Sequence, residues 1–197
     1  MTRLGFRQRH TQLGPRDEAL LEKAFQEGRM LSQAQGAYAR FPILENDGGQ
    51  IRFAGNVVLR SASLAKLLAQ SDQVVLMATT IGKGIQERIA AEISGGNAGY
   101  GLMLDAVASE TADAGLDWMM TLINTSIRRE GRRLTRYRYS PGYGDLALDN
   151  QKIIFDLLKL ERLDVILTET YMLIPEKSVI AIAGCERIAT ADSVGQS

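Results

Sequence analysis

Cysteine and histidine are nearly missing from this chain of 197 residues, which has one of each, Cys185 and His10. A single cysteine forms no disulfide within the chain, and the two residues are too few for a structural zinc site. No serine stands in the Gly-x-Ser-x-Gly pattern of a nucleophile elbow, and a lone histidine near the N-terminus is a poor general base. We therefore expect no metal site, no hydrolase chemistry and no catalytic residue.

A surplus of charge of either sign is also lacking, because 23 basic side chains are matched by 23 acidic ones. Nucleic acids and anionic membrane surfaces require a basic field, so neither is an expected partner. No apolar run approaches the roughly 20 residues that span a bilayer, and the N-terminal MTRLGFRQRH has no apolar signal-peptide core. Hydrophobic residues make up 45% of the sequence, as in globular proteins, and we expect the protein in the cytoplasm.

Apolar residues at helical spacing predict a series of helices. Their ranges are about 15–39, 62–70, about 83–94, 102 to about 128, and 147–159. Ser61 is a suitable N-cap for the second helix. In the longest one, Gly115 costs stability relative to alanine, which indicates close packing at that point. We assign Trp118, Met119 and Met120 of the same helix to the core.

Strands are predicted where short apolar or alternating runs end at turn residues. The run QVVLMATTIG reads as a buried strand, IRFAGNVVLR as short extended segments, RLTRYRYS as a strand exposed on one face, and RLDVILTETYMLIPEKSVIAIAG as two or three strands. This order favours an α+β fold with a twisted, mostly antiparallel or mixed sheet flanked by helices. The length fits a single domain over 1–197, with a helical N-terminal part at 15–40 and flexible ends at 1–14 and 188–197.

The stretch RYSPGYGD, residues 138–145, is open to two interpretations. Its proline and glycines make a turn, and its arginine and tyrosines can simply cover an exposed strand. The same residues also suit a ligand with a planar ring and a carboxylate. Tyr143 can stack on a ring, Arg138 can bind a carboxylate through paired hydrogen bonds, and glycine lets the backbone approach closely.

The run from Arg138 to Tyr143 resembles the Arg-Pro-Ala-Pro-Gly-Tyr motif of the activation (reactivation) domain of cobalamin-dependent methionine synthase. Downstream, LTETYMLIPEKSVIAIAG is similar to that domain's strand beginning Leu-Thr-Glu-Ser and to its later Ser-Val strand. Upstream, ATTIG and MLDAVASETADA resemble the short, stand-alone proteins of the same superfamily. The resemblance covers roughly residues 50 to 184, which we take as the activation-domain-like core.

The resemblance implies a domain that binds S-adenosylmethionine. By position, Arg138 would hold the methionyl carboxylate, the backbone around Ser140 and Gly142 would meet the ligand, and Tyr143 would close the site. An acidic residue on the long helix would meet the ligand's amino group, and Asp113 is the best match by position. Glu110, one turn earlier, is the alternative for that role. Glu169 and Tyr171 are either further residues of the cleft or, in preference, structural strand residues.

The family's function further implies partners. The chain would present the methyl group of S-adenosylmethionine to cobalamin on a separate corrinoid-binding or methyltransferase protein, with an electron donor supporting reductive reactivation. One departure concerns GDLALDN, which stands where the full-length enzyme has cysteine, proline and histidine facing its cofactor-carrying domain. Two alternatives remain open: a self-contained S-adenosylmethionine-dependent methyltransferase of small molecules, and an interaction scaffold that has lost the ligand. The oligomeric state is not predicted.

Overall fold

A computed structural model of the chain describes residues 14–188. The described residues form two compact units. Unit 1 contains residues 14–36, Thr79–Leu116 and Leu160–Val179, and unit 2 contains Ala37–Ala78, Asp117–Lys159 and 180–188. The flexible ends predicted from the sequence fall almost wholly outside the described residues, as does His10. The prediction of a single domain stays a prediction.

The fourth of the five α-helices within residues 14–188 is the longest, with 31 residues. The five are α1 (Pro15–Leu31), α2 (Ala62–Leu67), α3 (Gly84–Ser94), α4 (Ala98–Arg128) and α5 (Asn150–Leu158), and a 3₁₀ helix covers Leu160–Leu163. Each α-helix overlaps a predicted helix. No helix among these is both long and apolar enough to cross a membrane.

Eight strands complete the described secondary structure. They are β1 (Gln35–Asn46), β2 (Gln50–Phe53), β3 (Val57–Arg60), β4 (Ser71–Thr80), β5 (Arg132–Leu134), β6 (Ile166–Leu167), β7 (Leu173–Ile174) and β8 (Ser178–Arg187). Six of them form one sheet in the order β3-β2-β1-β4-β8-β5, and β6 pairs with β7. The pairs β1–β2, β2–β3, β5–β8 and β6–β7 are antiparallel. The predicted α+β class is confirmed.

The first helix ends earlier than its sequence pattern predicts. Pro15 at the first helical position starts it, but the backbone turns extended at Ser32, whose amide and hydroxyl both donate to the Gly28 carbonyl. Residues 35–39, which were predicted to be helical, begin β1 instead. The prediction is wrong there because β1 is taken up between β2 and β4 in the six-stranded sheet. Pairing with distant strands overrides local helix propensity.

Unit 1 buries a face of each of its three helices. Its core contains Ala24 of α1, Ile85 and Ile89 of α3, and Leu104 and Val107 of α4. Gly115 of α4 lies against Thr79, whose atoms are 3.4 Å from where a β-carbon would stand. The helix packs against Thr79 here, as the Thr79 hydroxyl also donates to the Ala112 carbonyl at 3.3 Å, but a β-carbon at residue 115 would make only an ordinary contact.

Unit 2 is built on the six-stranded sheet, with α2 packed against β2. Ser61 caps α2 as predicted, because its hydroxyl oxygen accepts a hydrogen bond of 2.9 Å from the Leu64 amide. In the part of α4 that belongs to unit 2, Met119 is buried but Trp118 is 65% exposed. Placing Trp118 in the core was wrong, because its position on the helix turns it outward between buried neighbours at Leu116 and Met119.

Candidate functional site

The loop that follows β5 is fixed to β8 by backbone hydrogen bonds. Thr135 exchanges bonds with Gly184, from its amide to the Gly184 carbonyl (2.9 Å) and from the Gly184 amide to its hydroxyl (3.0 Å). Tyr139 and Ile182 exchange amide-to-carbonyl bonds of 2.8 and 2.7 Å. The strand predicted over residues 133–140 is therefore shorter than expected: β5 ends at Leu134, and Tyr139 forms an isolated bridge.

The centre of the loop is a tight turn over residues 140–143. The Tyr143 amide donates to the Ser140 carbonyl at 3.2 Å, Pro141 is buried, and Gly142 has φ +87°. Proline followed by a residue with positive φ is the signature of a type II turn. A second pair of bonds closes the loop beyond it, from the Gly142 amide to the Leu146 carbonyl (2.8 Å) and from the Leu146 amide to the Tyr143 carbonyl (3.1 Å). The turn interpretation of RYSPGYGD is thus correct as far as it goes.

Arg138 enters this loop with its guanidinium directed at α4. Its Nη1 contacts the Asp117 carboxylate and lies 3.8 Å from the Met120 sulfur. The Arg138 side chain is 26% exposed, whereas that of Asp117 is 69% exposed. Arg138 can release this carboxylate and bind another anion at little cost in free energy, since exposed ion pairs contribute only about 0–1 kcal/mol.

Two tyrosines of the loop face solvent. Tyr143 is 69% exposed and follows the turn, and Tyr137 is 64% exposed, with the Arg136 guanidinium 5.3 Å from its ring centre. An exposed ring on a rigid turn can stack on a planar ligand with little loss of conformational entropy.

Asp145 closes the loop against the start of α2. Its Oδ1 accepts hydrogen bonds from the Ser61 hydroxyl (2.6 Å) and the Tyr139 hydroxyl (3.4 Å), and its Oδ2 accepts one from the Ser63 amide (3.1 Å). The Ser61 hydroxyl foremost, and then the Ser63 amide, hold the pKa of the Asp145 carboxyl far below its usual range. No local pattern indicates this contact, because Ser61 and Asp145 are 84 residues apart.

The predicted site residues fall into two groups. Arg138, Ser140, Gly142 and Tyr143 lie together in the loop just described, in unit 2. Asp113 and the alternative Glu110 are half-buried on the part of α4 that belongs to unit 1, where each has an interaction with another residue. The assignment of ligand-binding roles to these residues stays a prediction.

Sequence reasoning missed Asp117, the acidic residue that touches Arg138. It lies one helical turn beyond Asp113, so a search for every carboxylate at that spacing on the long helix would have found it. Glu169 and Tyr171 lie in the connection between β6 and β7 rather than in a strand, and Tyr171 has φ +62°. A strand role for these two residues was therefore wrong.

Comparisons with known proteins identify a solved structure with the same fold. No family model matches the sequence, and no curated protein matches it either. The crystal structure of the MetH reactivation domain bound to AdoHcy superposes with a TM-score of 0.67 at 15% sequence identity, over 90% of this chain and 67% of that one. The described chain therefore has the reactivation-domain fold, and the fold expected from the resemblance is confirmed.

Proposed function

We propose that this protein binds S-adenosylmethionine, or its demethylated product AdoHcy, on the 138–145 loop and assists the reductive methylation of a corrinoid held by a partner protein. The observation that carries the proposal is the pairing of Arg138 with Asp117 beside an exposed, rigid turn. The structural neighbour, which shares the fold, is described as bound to AdoHcy, and this supports the choice of ligand class.

The Arg138–Asp117 pair suits the amino-acid end of such a ligand. That end is a zwitterion, with a carboxylate and an ammonium group on one carbon. On binding, Arg138 would exchange the Asp117 carboxylate for the ligand carboxylate, while Asp117 would take the ammonium group. The exchange replaces one ion pair within the protein by two between the protein and the ligand, so neither protein charge is left unpaired.

The turn suits the rest of the ligand. Gly142 is exposed and has no side chain, so a ligand can approach its backbone, and Tyr143 offers an exposed ring beside it. The methyl group would pass from the ligand's sulfonium to the reduced corrinoid of the partner, leaving AdoHcy on this chain. Such a transfer needs positioning of two reactants rather than acid-base catalysis, in accord with a loop that has no histidine.

The direct test is a thermal-shift and calorimetric comparison of S-adenosylmethionine, AdoHcy and cobalamin with the full chain. A ligand at 100 times its dissociation constant adds about 2.7 kcal/mol of stability. We expect shifts with the first two compounds and none with cobalamin alone, which belongs to the partner. Absence of binding by S-adenosylmethionine and AdoHcy at high protein concentration would refute the proposal.

Matched variants locate the site. Arg138→Ala should weaken AdoHcy binding at least about tenfold, because a charge-assisted hydrogen bond is lost, while Arg136→Ala two residues away should not. Tyr143→Ala should weaken binding and Tyr137→Ala, which removes an equally exposed ring, should not. Binding that survives both Arg138→Ala and Tyr143→Ala would place the site elsewhere.

The two alternatives predict other results. A self-contained methyltransferase would turn over a small substrate with no corrinoid protein present. A scaffold without ligand would show no shift with any of the three compounds, and Arg138→Ala would leave its partner binding unchanged.

A further inference from the structure

The carboxylate of Asp145 collects hydrogen bonds from two distant parts of unit 2. The Ser61 hydroxyl at 2.6 Å and the Ser63 amide at 3.1 Å come from the start of α2, and the Tyr139 hydroxyl at 3.4 Å comes from the loop itself. Charge-assisted bonds of this kind are about twice as strong as neutral ones. The carboxylate therefore joins the end of the loop to a helix that the sequence places about 80 residues earlier.

The backbone next to Asp145 leaves no room for a side chain at residue 144 while Tyr139 keeps its position. Gly144 has φ +53°, and a β-carbon on it would lie 2.1 Å from the Tyr139 hydroxyl oxygen. Tyr139 is itself fixed to β8 through two backbone hydrogen bonds with Ile182. The residue pair Gly144–Asp145 is thus held from three directions: β8 through Tyr139, α2 through Ser61 and Ser63, and the turn that carries Tyr143.

We infer that Asp145 is a positioning residue of the ligand loop: by binding Ser61 and Ser63 it holds the turn at residues 140–143 in one conformation before any ligand or partner arrives. The stretch that begins GD therefore serves an internal contact in this chain. Because the loop is ordered before binding, none of the binding free energy is used to order it, and the affinity for the ligand is higher.

Helix capping by itself does not account for Asp145. The Ser61 oxygen already caps α2 by accepting from the Leu64 amide at 2.9 Å, so α2 has an N-cap without the aspartate. If Asp145 served only the helix, its loss would lower stability and leave the loop unaffected. If Asp145 positions the loop, its loss also exposes the loop amides to exchange and weakens ligand binding.

The test uses the full chain with hydrogen exchange as its first readout, which needs no ligand. In Asp145→Ala, the amides of Gly142 and Leu146, which bond across the turn, should exchange faster, while those of β8 should stay protected. Asp149→Ala removes the same charge four residues further on, where the carboxylate accepts a hydrogen bond from the neighbouring Asn150 side chain, and should leave all of these amides unchanged. Unchanged exchange at Gly142 and Leu146 in Asp145→Ala overturns the inference.

The second readout, AdoHcy affinity, rests on the proposed function. Asp145→Ala should weaken AdoHcy binding about tenfold. Asp145→Asn should restore part of the loss, since its amide oxygen still accepts one bond from α2, and it serves in place of Asp145→Ala if that variant does not fold. Wild-type affinity in Asp145→Ala contradicts the inference. If the wild-type chain binds no AdoHcy, the proposed function fails, and the exchange of the Gly142 and Leu146 amides still decides the role of Asp145.

Discussion

At the residue scale, the contact between Arg138 and Asp117 defines what the loop can recognise. Arg138 stood out in the sequence because arginine next to a proline-glycine turn suits an anion. Asp117 did not, since nothing local distinguishes it from the other acidic residues of α4. Its role follows from the packing of the loop on the helix, which brings together two side chains that are 21 residues apart.

Substitution of Asp117 tests this pairing. Asp117→Asn keeps the shape of the side chain and removes the charge that would meet the ligand's ammonium group. We expect AdoHcy to bind about tenfold more weakly, because the ion pair with the ammonium group is reduced to a hydrogen bond from that group to a neutral amide oxygen. Methylthioadenosine, which lacks the amino-acid end, should bind the variant and the wild type equally in calorimetry.

Asp113→Asn is the matched comparison, because it changes the residue that the resemblance selected. If Asp113→Asn weakens AdoHcy and Asp117→Asn does not, the sequence-based choice was correct and the exchange of partners at Arg138 is wrong. An equal loss of methylthioadenosine binding in Asp117→Asn would mean that the residue acts on the loop rather than on the ammonium group.

At the scale of single elements, two glycines show how differently a missing side chain can be used. In α4, a β-carbon on Gly115 would meet Thr79 at 3.4 Å, an ordinary contact. In β8, a β-carbon on Gly184 would lie 2.0 Å from the Ser71 hydroxyl and 2.8 Å from a Thr135 methyl. An added side chain would therefore fit at residue 115, whereas at residue 184 it would overlap its neighbours.

The same chemical change at both sites should therefore have different effects. Gly184→Ala should lower the free energy of unfolding by about 3 kcal/mol, the upper part of the range for overpacked sites. Gly115→Ala should be neutral or stabilising by up to about 1 kcal/mol, because the added β-carbon makes only an ordinary contact and alanine has the higher helix propensity. Urea unfolding of the two variants measures both values, and a loss at Gly115 equal to that at Gly184 would contradict the packing described.

Element boundaries also show where sequence reasoning succeeds. The N-cap at Ser61 and the ends of α3 were predictable, since capping residues and glycines act within a few positions. The early end of α1, the extent of β1 and the short β5 were not, because each depends on pairing with a strand distant in sequence.

At the scale of the whole molecule, ionised carboxylates tie the fold to pH. Hydrogen bonds lower the pKa of Glu27, through the Tyr100 hydroxyl, and of Asp72, through the Arg132 guanidinium. The Arg40 guanidinium likewise lowers the pKa of Glu130. A carboxyl whose pKa is lower in the folded than in the unfolded state stabilises the fold at every pH above the unfolded-state pKa. This contribution is lost as pH falls through the folded-state pKa.

Thermal unfolding should therefore show a steady fall in Tm from about pH 5 downward, with little change between pH 6 and 8. Asp72→Asn should have a lower Tm at pH 7 and a shallower acid slope than the wild type. Asp156→Asn, which affects an exposed pair with Lys152 on α5, serves as the control and should keep the wild-type slope. If the acid slope of Tm is identical in all three proteins, Asp72 does not contribute to the pH dependence of stability.

The sequence by itself determined the α+β class, most helices and the turn at residues 140–143, because propensity, capping and proline-glycine geometry act over a few neighbouring residues. It also pointed, by resemblance, to the fold that the MetH reactivation domain confirms. Only the tertiary structure decided that Arg138 meets Asp117, that Asp145 binds the start of α2, and that Trp118 faces outward. Those facts depend on which distant segments pack together, and no local pattern encodes the distance between two side chains on different elements.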